Sequence, residues 1–148
     1  MDKKMKILFL CTGNSCRSQM AEGWANALKQ DTLEAHSAGI EKHGLNPLAV
    51  RVMAEAGVDI SRHVSKIVAD LPEQPFDCVI TLCDHANETC PMFSGQAKRM
   101  HAGFDDPPAL AKNAQTEEEA ISHYRRVRDE IRAYVEGLPD MLGKSTNE

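Results

Sequence analysis

Aromatic side chains and long apolar runs are both scarce in this sequence. Phe, Trp and Tyr make up 5% of its 148 residues, which leaves little with which a pocket could grip a phenyl ring. The longest apolar runs, ILFLC and CVITLC, have the length of strands, whereas a helix that spans a membrane needs about 20 apolar residues. The start of the chain, MDKK, leads into no apolar region of the length that a secretory signal requires. We therefore expect a cytoplasmic protein without a membrane partner.

A surplus of basic residues is absent as well. Seventeen Lys and Arg are outnumbered by 22 Asp and Glu, and the formal net charge is −5, so we expect no nucleic-acid partner, which would require a basic face. The five cysteines are an odd number and too few for a small domain held together by disulfide bonds. We therefore expect the cysteines to be free thiols in a reducing compartment. From the length of the chain we expect a single domain over residues 1–148. We expect this domain to be a monomer with a frayed tail at 140–148.

Segments typical of strands and helices alternate along the chain. Short runs with the composition of strands lie at 5–10, 33–39, 77–82 and 98–103. Apolar residues at helical spacing predict three helices, over 19–29, 46–57 and 116–138. Asn46 and Pro47 mark the start of the second helix, and a capping box of Thr116 and Glu119 marks the start of the third. The alternation predicts an α/β fold, a three-layer sandwich around a four-stranded, mostly parallel sheet.

The loop CTGNSCRS, at residues 11–18, joins the first predicted strand to the first helix. In a parallel sheet, ligands bind beyond the carboxyl ends of the strands. A short loop that enters a helix turns several backbone N–H groups around a tetrahedral oxyanion, and the helix N-terminus adds partial positive charge. Gly13 allows close approach of the backbone, and Arg17 can bind the anion through two parallel hydrogen bonds. We therefore predict that an oxyanion is held by Thr12, Gly13, Asn14, Ser15, Cys16 and Arg17.

Cys11 opens this loop at the end of the strand. The positive field of the loop favours the thiolate of Cys11, a nucleophile directed at the bound anion, and Ser18 can donate a hydrogen bond to its sulfur. The alternative is that Cys11 and Cys16 are small buried residues, as most intracellular cysteines are. Cys11 lies in a strand-to-helix loop that also contains Arg17 and the backbone N–H groups expected to surround an anion. This combination favours the functional interpretation for Cys11. Cys16 and Cys78 keep the structural one.

The segment CTGNSCRSQMAEG resembles the phosphate-binding loop of the low-molecular-weight protein tyrosine phosphatase fold. More closely, it resembles the loop of the thioredoxin-coupled arsenate reductases that are built on that fold. The resemblance continues through SAGI, HGLNP, ITLC, ETCP, GFDDP and RVRDEI, so it covers nearly the whole chain. It implies the same fold and the reduction of arsenate to arsenite, with thioredoxin as the partner that supplies the electrons.

The resemblance also implies a relay of three thiols. Cys11 would attack arsenate while Asp106 protonates a leaving oxygen. Cys83 would then attack Cys11 and release arsenite, and Cys90 would displace Cys11 and leave a Cys83–Cys90 disulfide for thioredoxin. Asp106 is preferred to Asp105 as the proton donor because it precedes a proline, as in the family's Asp-Pro element.

The spacing of Cys83 and Cys90 constrains the segment between them. If 84–89 were helical, the two Cα atoms would be about 10 Å apart, whereas a disulfide tolerates roughly 4.4 to 6.8 Å. We therefore predict that this segment loops out when the disulfide forms. These two thiols have two alternatives, a purely structural role and a zinc site that adds His85. Zinc sites usually show paired spacings such as C-x2-C, which are absent from this sequence. No metal site is predicted.

A cation site of some relatives is altered in this chain. In potassium-stimulated relatives, the cation is held by residues that correspond to Asn14, Glu22 and Ser37 and by an H-T-S-D segment, where this chain has HVSK. The ammonium of Lys66 would take the place of the cation by pairing with Glu22. We therefore predict no cofactor and no dependence on potassium.

Two other classes of function stay open beside the reductase. A phosphatase for small phosphoesters needs one thiolate and a proton donor, and it could share Cys11, Arg17 and Asp106. A non-catalytic oxyanion-binding or redox-sensing protein would bind arsenate or phosphate without releasing arsenite. The further thiols favour the reductase, because reduction of arsenate takes two electrons, which a dithiol supplies when it becomes a disulfide.

Overall fold

Four parallel strands form the centre of the computed structural model, which describes residues 4–71, 76–83 and 98–138. The strands are β1 (Met5–Cys11), β2 (Leu33–Gly39), β3 (Cys78–Thr81) and β4 (Lys98–His101), in the sheet order β2-β1-β3-β4. β1 lies between β2 and β3, and its residues Ile7 and Leu10 are fully buried, as expected for a strand covered on both faces. The predicted α/β class with a four-stranded parallel sheet is confirmed.

Helices connect and cover these strands. They are α1 (Arg17–Leu28), α2 (Pro47–Glu55), α3 (Pro107–Ala111) and α4 (Glu117–Glu136), with a short 3-10 helix at Val68–Asp70. The side chain of Asn46 accepts hydrogen bonds from the backbone N–H groups of Leu48 and Ala49, at 2.8 and 3.2 Å. These bonds satisfy donors that the first turn of a helix leaves unpaired, so the predicted start of α2 is confirmed.

Three features of the helices differ from the sequence-based expectation. α1 begins at Arg17, two residues earlier than predicted, so Arg17 lies in its first turn. α3 was not predicted, although Pro107 at its first position favours a helix start. The capping box of α4 is displaced: Thr116 Oγ1 accepts from the Glu119 N–H at 3.0 Å, but the Glu119 carboxylate accepts from the Gln115 N–H at 2.8 Å rather than from Thr116.

The sheet brings three connecting segments to one edge. Leu82, just after β3, donates its N–H to the carbonyl of Leu10 in β1 at 2.9 Å. Phe104, just after β4, donates in turn to the carbonyl of Leu82 at 3.1 Å. The loop after β1 and the segments after β3 and β4 therefore lie side by side at the carboxyl ends of the strands, where parallel sheets bind ligands.

Some predictions fall outside the described part of the chain. Residues 1–3, 72–75, 84–97 and 139–148 are not among the described residues. Cys90, His85, the predicted loop-out of 84–89 and the frayed tail lie there and stay predictions. Among the helices formed by the described ranges, none combines the length and the apolar character needed to cross a membrane.

Candidate active site

The loop that joins β1 to α1 borders a cavity of about 300 Å³ at the carboxyl edge of the sheet. Five of the six residues predicted to bind an oxyanion line it, together with the predicted nucleophile and proton donor. The lining consists of Cys11, Thr12, Gly13, Ser15, Cys16, Arg17, His43, Asn46, Asp106 and Pro108. None of these lining residues is Phe, Trp or Tyr, so the described lining suits a small polar anion better than an aromatic ring.

Asn14 differs from the other predicted ligands because it does not line the cavity. It is fully buried and has a φ of 48°, a left-handed conformation that Asn tolerates better than most residues. Its Nδ2 donates to Ser18 Oγ at 2.8 Å and to Ser37 Oγ at 3.0 Å, and its Oδ1 accepts from the Lys66 N–H at 2.8 Å. The Asn14 side chain therefore holds the loop in shape from beneath.

Cys11 lies at the bottom of the loop and is 3% exposed. Its Sγ lies 3.1 Å from Ser18 Oγ, in the first turn of α1. Because the Ser18 oxygen already accepts from Asn14, its proton is available to the sulfur. The Cys11 sulfur therefore faces both a hydroxyl donor and the positive end of the α1 dipole.

Cys16 and Cys78 are further buried cysteines, and burial dominates the chemistry of both thiols. Burial is the main cause that raises the pKa of the Cys16 thiol far above its usual value, and the neighbouring Cys11 adds to it. Burial likewise raises the pKa of Cys78 to about 11. Both groups stay protonated at neutral pH, which agrees with the structural interpretation of these two cysteines.

Arg17 connects the loop to the segment after β4. Its guanidinium donates to the carbonyl oxygen of Phe104 at 2.9 Å and lies 3.6 Å from the Asp106 carboxylate. Asp106 precedes the first turn of α3 and lines the cavity, and its side chain makes no capping hydrogen bond to that turn. Asp105 does not line this cavity, and its carboxylate pairs with Arg126 instead. The geometry thus favours Asp106 over Asp105 as a proton donor to a ligand of the loop.

Cys83 lies next to the loop, directly after β3. Its Sγ is 3.2 Å from Thr12 Oγ1, and the residue is 7% exposed. It lines a second cavity of about 340 Å³ together with Arg17 and Asp106, which also line the first. Two residues 71 positions apart, Thr12 and Cys83, are therefore in contact, and the second thiol of the predicted relay adjoins the anion loop.

Lys66 lies beside the acidic group that was expected to attract it. Its Nζ is 3.9 Å from Glu22 Oε1 and donates to the carbonyl of Val64 at 3.3 Å. The same Glu22 oxygen accepts from Ser37 Oγ at 2.5 Å. The ammonium and the carboxylate are both mostly buried, which strengthens their attraction.

His43 and Asn46 line the cavity although neither was singled out from the sequence as a ligand. His43 donates its backbone N–H to the Gly13 carbonyl at 3.0 Å, and a Cβ at position 13 would overlap with the His43 imidazole ring. Asn46 caps α2 and lines the cavity at once. Both lie in the HGLNP segment that carried part of the resemblance, and that segment was the one available signal.

Known proteins match this chain along most of its length. Residues 6–148 match the low molecular weight phosphotyrosine protein phosphatase family. The arsenate reductase of Bacillus licheniformis is 56% identical over 128 residues, which cover 86% of this chain and 90% of that protein. The arsenate reductase of Bacillus subtilis is 53% identical over 131 residues, which cover 88% of this chain and 91% of that protein.

Solved structures share the fold as well. An arsenate reductase in its oxidised state has a TM-score of 0.74 at 31% identity, covering 90% of this chain and 95% of its own. The low molecular weight protein tyrosine phosphatase of T. tengcongensis has a TM-score of 0.72 at 26% identity, covering 93% of this chain and 99% of its own. With its Cys11–Arg17 loop at the end of an inner strand, the chain belongs to the low molecular weight phosphotyrosine protein phosphatase family, in the group that contains these arsenate reductases.

Proposed function

We propose that this protein reduces arsenate to arsenite by a relay of Cys11, Cys83 and Cys90, and that thioredoxin reduces the final disulfide. The observation that carries the proposal is the second thiol beside the anion loop, with Cys83 Sγ 3.2 Å from Thr12 Oγ1. Hydrolysis of a phosphoester needs no such thiol. The two Bacillus relatives named above, each more than half identical to this chain, are arsenate reductases, which supports the same conclusion.

The first step takes place in the loop. The thiolate of Cys11 attacks arsenic, a sulfur–arsenic bond forms, and one arsenic–oxygen bond breaks. Asp106 donates the proton with which the leaving oxygen departs as water. Arg17 and the loop N–H groups bind the remaining oxygens, where negative charge accumulates.

The second step reduces the arsenic. The thiolate of Cys83 attacks the sulfur of Cys11, and a disulfide forms between them. The sulfur–arsenic bond breaks and its electron pair stays on arsenic, which leaves as arsenite. Two thiols have then lost two electrons and arsenic has gained two, so the step balances.

The third step regenerates the thiolate of Cys11. The thiolate of Cys90 attacks Cys83, which releases the thiolate of Cys11 and leaves a Cys83–Cys90 disulfide. A dithiol partner such as thioredoxin then reduces that disulfide. Other solved arsenate reductases have been captured in reduced, intermediate and oxidised states, which supports a cycle of this kind. We also propose that the protein acts as a monomer in the cytoplasm, where its thiols stay reduced.

The test is an arsenite-release assay with thioredoxin, thioredoxin reductase and NADPH. We expect one NADPH to be consumed per arsenite released. Cys83→Ser abolishes release, and Cys90→Ser permits one turnover and then stops. Cys78→Ala is the matched control, because Cys78 is buried in β3 away from both cavities, and it keeps turning over. Undiminished arsenite release by Cys83→Ser would refute the relay. The identity of the reductant is tested separately, by replacing thioredoxin with glutaredoxin or with a small thiol in the same assay.

A phosphatase for small phosphoesters is the second candidate. The complete set of Cys11, Arg17 and Asp106 around one cavity favours it. The Cys83→Ser variant separates the two functions, because hydrolysis of a phosphoester survives without the second thiol while arsenate turnover does not. A non-catalytic oxyanion-binding or redox-sensing protein would show neither activity and would still bind phosphate.

A further inference from the structure

Two adjacent aspartates after β4 pair with two different arginines. Asp106 Oδ1 lies 3.6 Å from Nη2 of Arg17, which belongs to the anion loop. Asp105 Oδ2 lies 2.9 Å from Nη2 of Arg126, which belongs to α4. The other terminal nitrogen of Arg126 donates to Glu130 at 3.0 Å, one turn along the same helix. Each arginine thus fixes the direction of one of two neighbouring carboxylates.

Asp105 borders a cavity that it shares with two residues of the site. It lines the second cavity together with Arg17 and Cys83, although it is absent from the wall of the first. A carboxylate that is not held by Arg126 can turn across this cavity toward the Arg17 guanidinium. It would then compete with an oxyanion for the same donors, and it would repel the anion as a like charge.

We propose that Arg126 is a positioning residue that keeps the Asp105 carboxylate away from the oxyanion site. Arg17 is thereby left to the bound anion, and Asp106 is the acid that faces it. The inference rests on the proposed function only for the name of the substrate, because any tetrahedral oxyanion in the loop experiences the same competition. It also gives a physical reason why a second carboxylate can stand beside the predicted proton donor without disturbing the loop.

The expected effect follows from the exposure of the pair. Arg126 and Asp105 are 43% and 62% exposed, and ion pairs in such positions change an equilibrium by up to about fivefold. We therefore expect Arg126→Met to weaken the binding of inorganic phosphate about three- to fivefold. Isothermal titration calorimetry on the reduced full-length protein measures this dissociation constant without any turnover.

Two double variants separate the proposed contact from a general loss of positive charge. Arg126→Met with Asp105→Asn and Arg126→Met with Glu130→Gln have the same net charge as the unmodified chain. We expect the first to bind phosphate as tightly as the unmodified protein, because the competing carboxylate is gone. The second stays as weak as Arg126→Met alone, because Asp105 is still released.

Arg125→Met is the matched single control. Arg125 is the neighbouring arginine of α4 and also pairs with two carboxylates, Glu55 at 2.8 Å and Glu118 at 2.7 Å, but neither belongs to the segment after β4. We expect its phosphate affinity to be unchanged. Unchanged binding in Arg126→Met, equal weakening in Arg125→Met, or failure of Asp105→Asn to restore affinity would each overturn the proposal. A protein that binds phosphate in this pattern and releases no arsenite would refute the reductase and leave the role of Arg126 standing.

Discussion

Replacing Lys66 with methionine would leave the charge of Glu22 unbalanced beneath the oxyanion loop. The two side chains are 24% and 16% exposed, and the nitrogen and oxygen are 3.9 Å apart. Glu22 accepts from Ser37, and Ser37 accepts from Asn14, which shapes the loop. The ion pair therefore acts on the same buried network that holds the anion-binding backbone in place.

The size of the effect follows from this geometry. Two unit charges at that distance attract each other by about 4 kcal/mol at an effective dielectric constant of about 20. Partial desolvation and the ordering of the lysine side chain offset most of this attraction. We expect Lys66→Met to lower the free energy of unfolding by about 1–2 kcal/mol, which corresponds to roughly 3–6 °C in Tm for a chain of this size.

The assay compares thermal unfolding and arsenate turnover in potassium chloride and in choline chloride at equal ionic strength. We expect the unmodified protein to behave alike in both salts, because its own ammonium serves as the cation. Lys66→Met is destabilised in choline, and potassium restores part of the loss. Lys42→Met is the control, since Lys42 pairs with Asp70 at 2.7 Å on the surface and its loss creates no response to potassium. A marked potassium response in the unmodified protein, or full stability of Lys66→Met in choline, would refute the reasoning.

Three further substitutions test single features of the fold and site. Ser18→Ala removes the hydroxyl that lies 3.1 Å from Cys11 Sγ. Because hydrogen bonds to charged groups contribute about 1.5–3 kcal/mol, we expect alkylation of Cys11 by iodoacetamide at neutral pH to slow about tenfold or more. An unchanged alkylation rate would contradict the role of Ser18 as the donor. Tyr134→Phe removes a buried hydroxyl that has no hydrogen-bond partner within the described residues; we expect about 1 kcal/mol of added stability in urea denaturation, and a loss would contradict this. Burial raises the pKa of Cys78 from 9.0 to about 11, so the unfolded chain releases this proton at lower pH than the folded protein does, and the free energy of unfolding falls as pH rises above about 9. We expect Cys78→Ala to remove about 1.4 kcal/mol of that decline between pH 7 and pH 10. An identical decline in the variant would show that Cys78 does not cause it.

The anion loop could be predicted because its parts are contiguous. Cys11, Gly13 and Arg17 lie within seven positions between a strand and a helix, and backbone geometry alone turns such a segment toward one ligand. The start of α2 was predictable for the same reason, since Asn46 caps N–H groups two and three residues ahead. The earlier start of α1 and the existence of α3 were missed, because helix ends depend on the contacts of the flanking loops.

The sequence does not give the direction of a side chain when that direction depends on distant residues. Asn14 was grouped with the oxyanion ligands, yet its side chain points into a network with Ser37 and Lys66, 23 and 52 positions away. The choice between Asp105 and Asp106 rested on the resemblance alone. The structure supplies a physical reason, because Arg126 in α4 binds one carboxylate and Arg17 faces the other.

The sequence by itself determined the four strands, the helices α1, α2 and α4 and the loop at 11–18, because apolar spacing, capping residues and a strand-to-helix turn act over a few neighbouring positions. Only the tertiary structure decided which distant side chains meet: Cys83 beside Thr12, the His43 ring against Gly13, and Arg126 on Asp105. The physical reason is the sheet order β2-β1-β3-β4. It brings the ends of strands far apart along the chain to one edge, and no local pattern of residues encodes the distances between them.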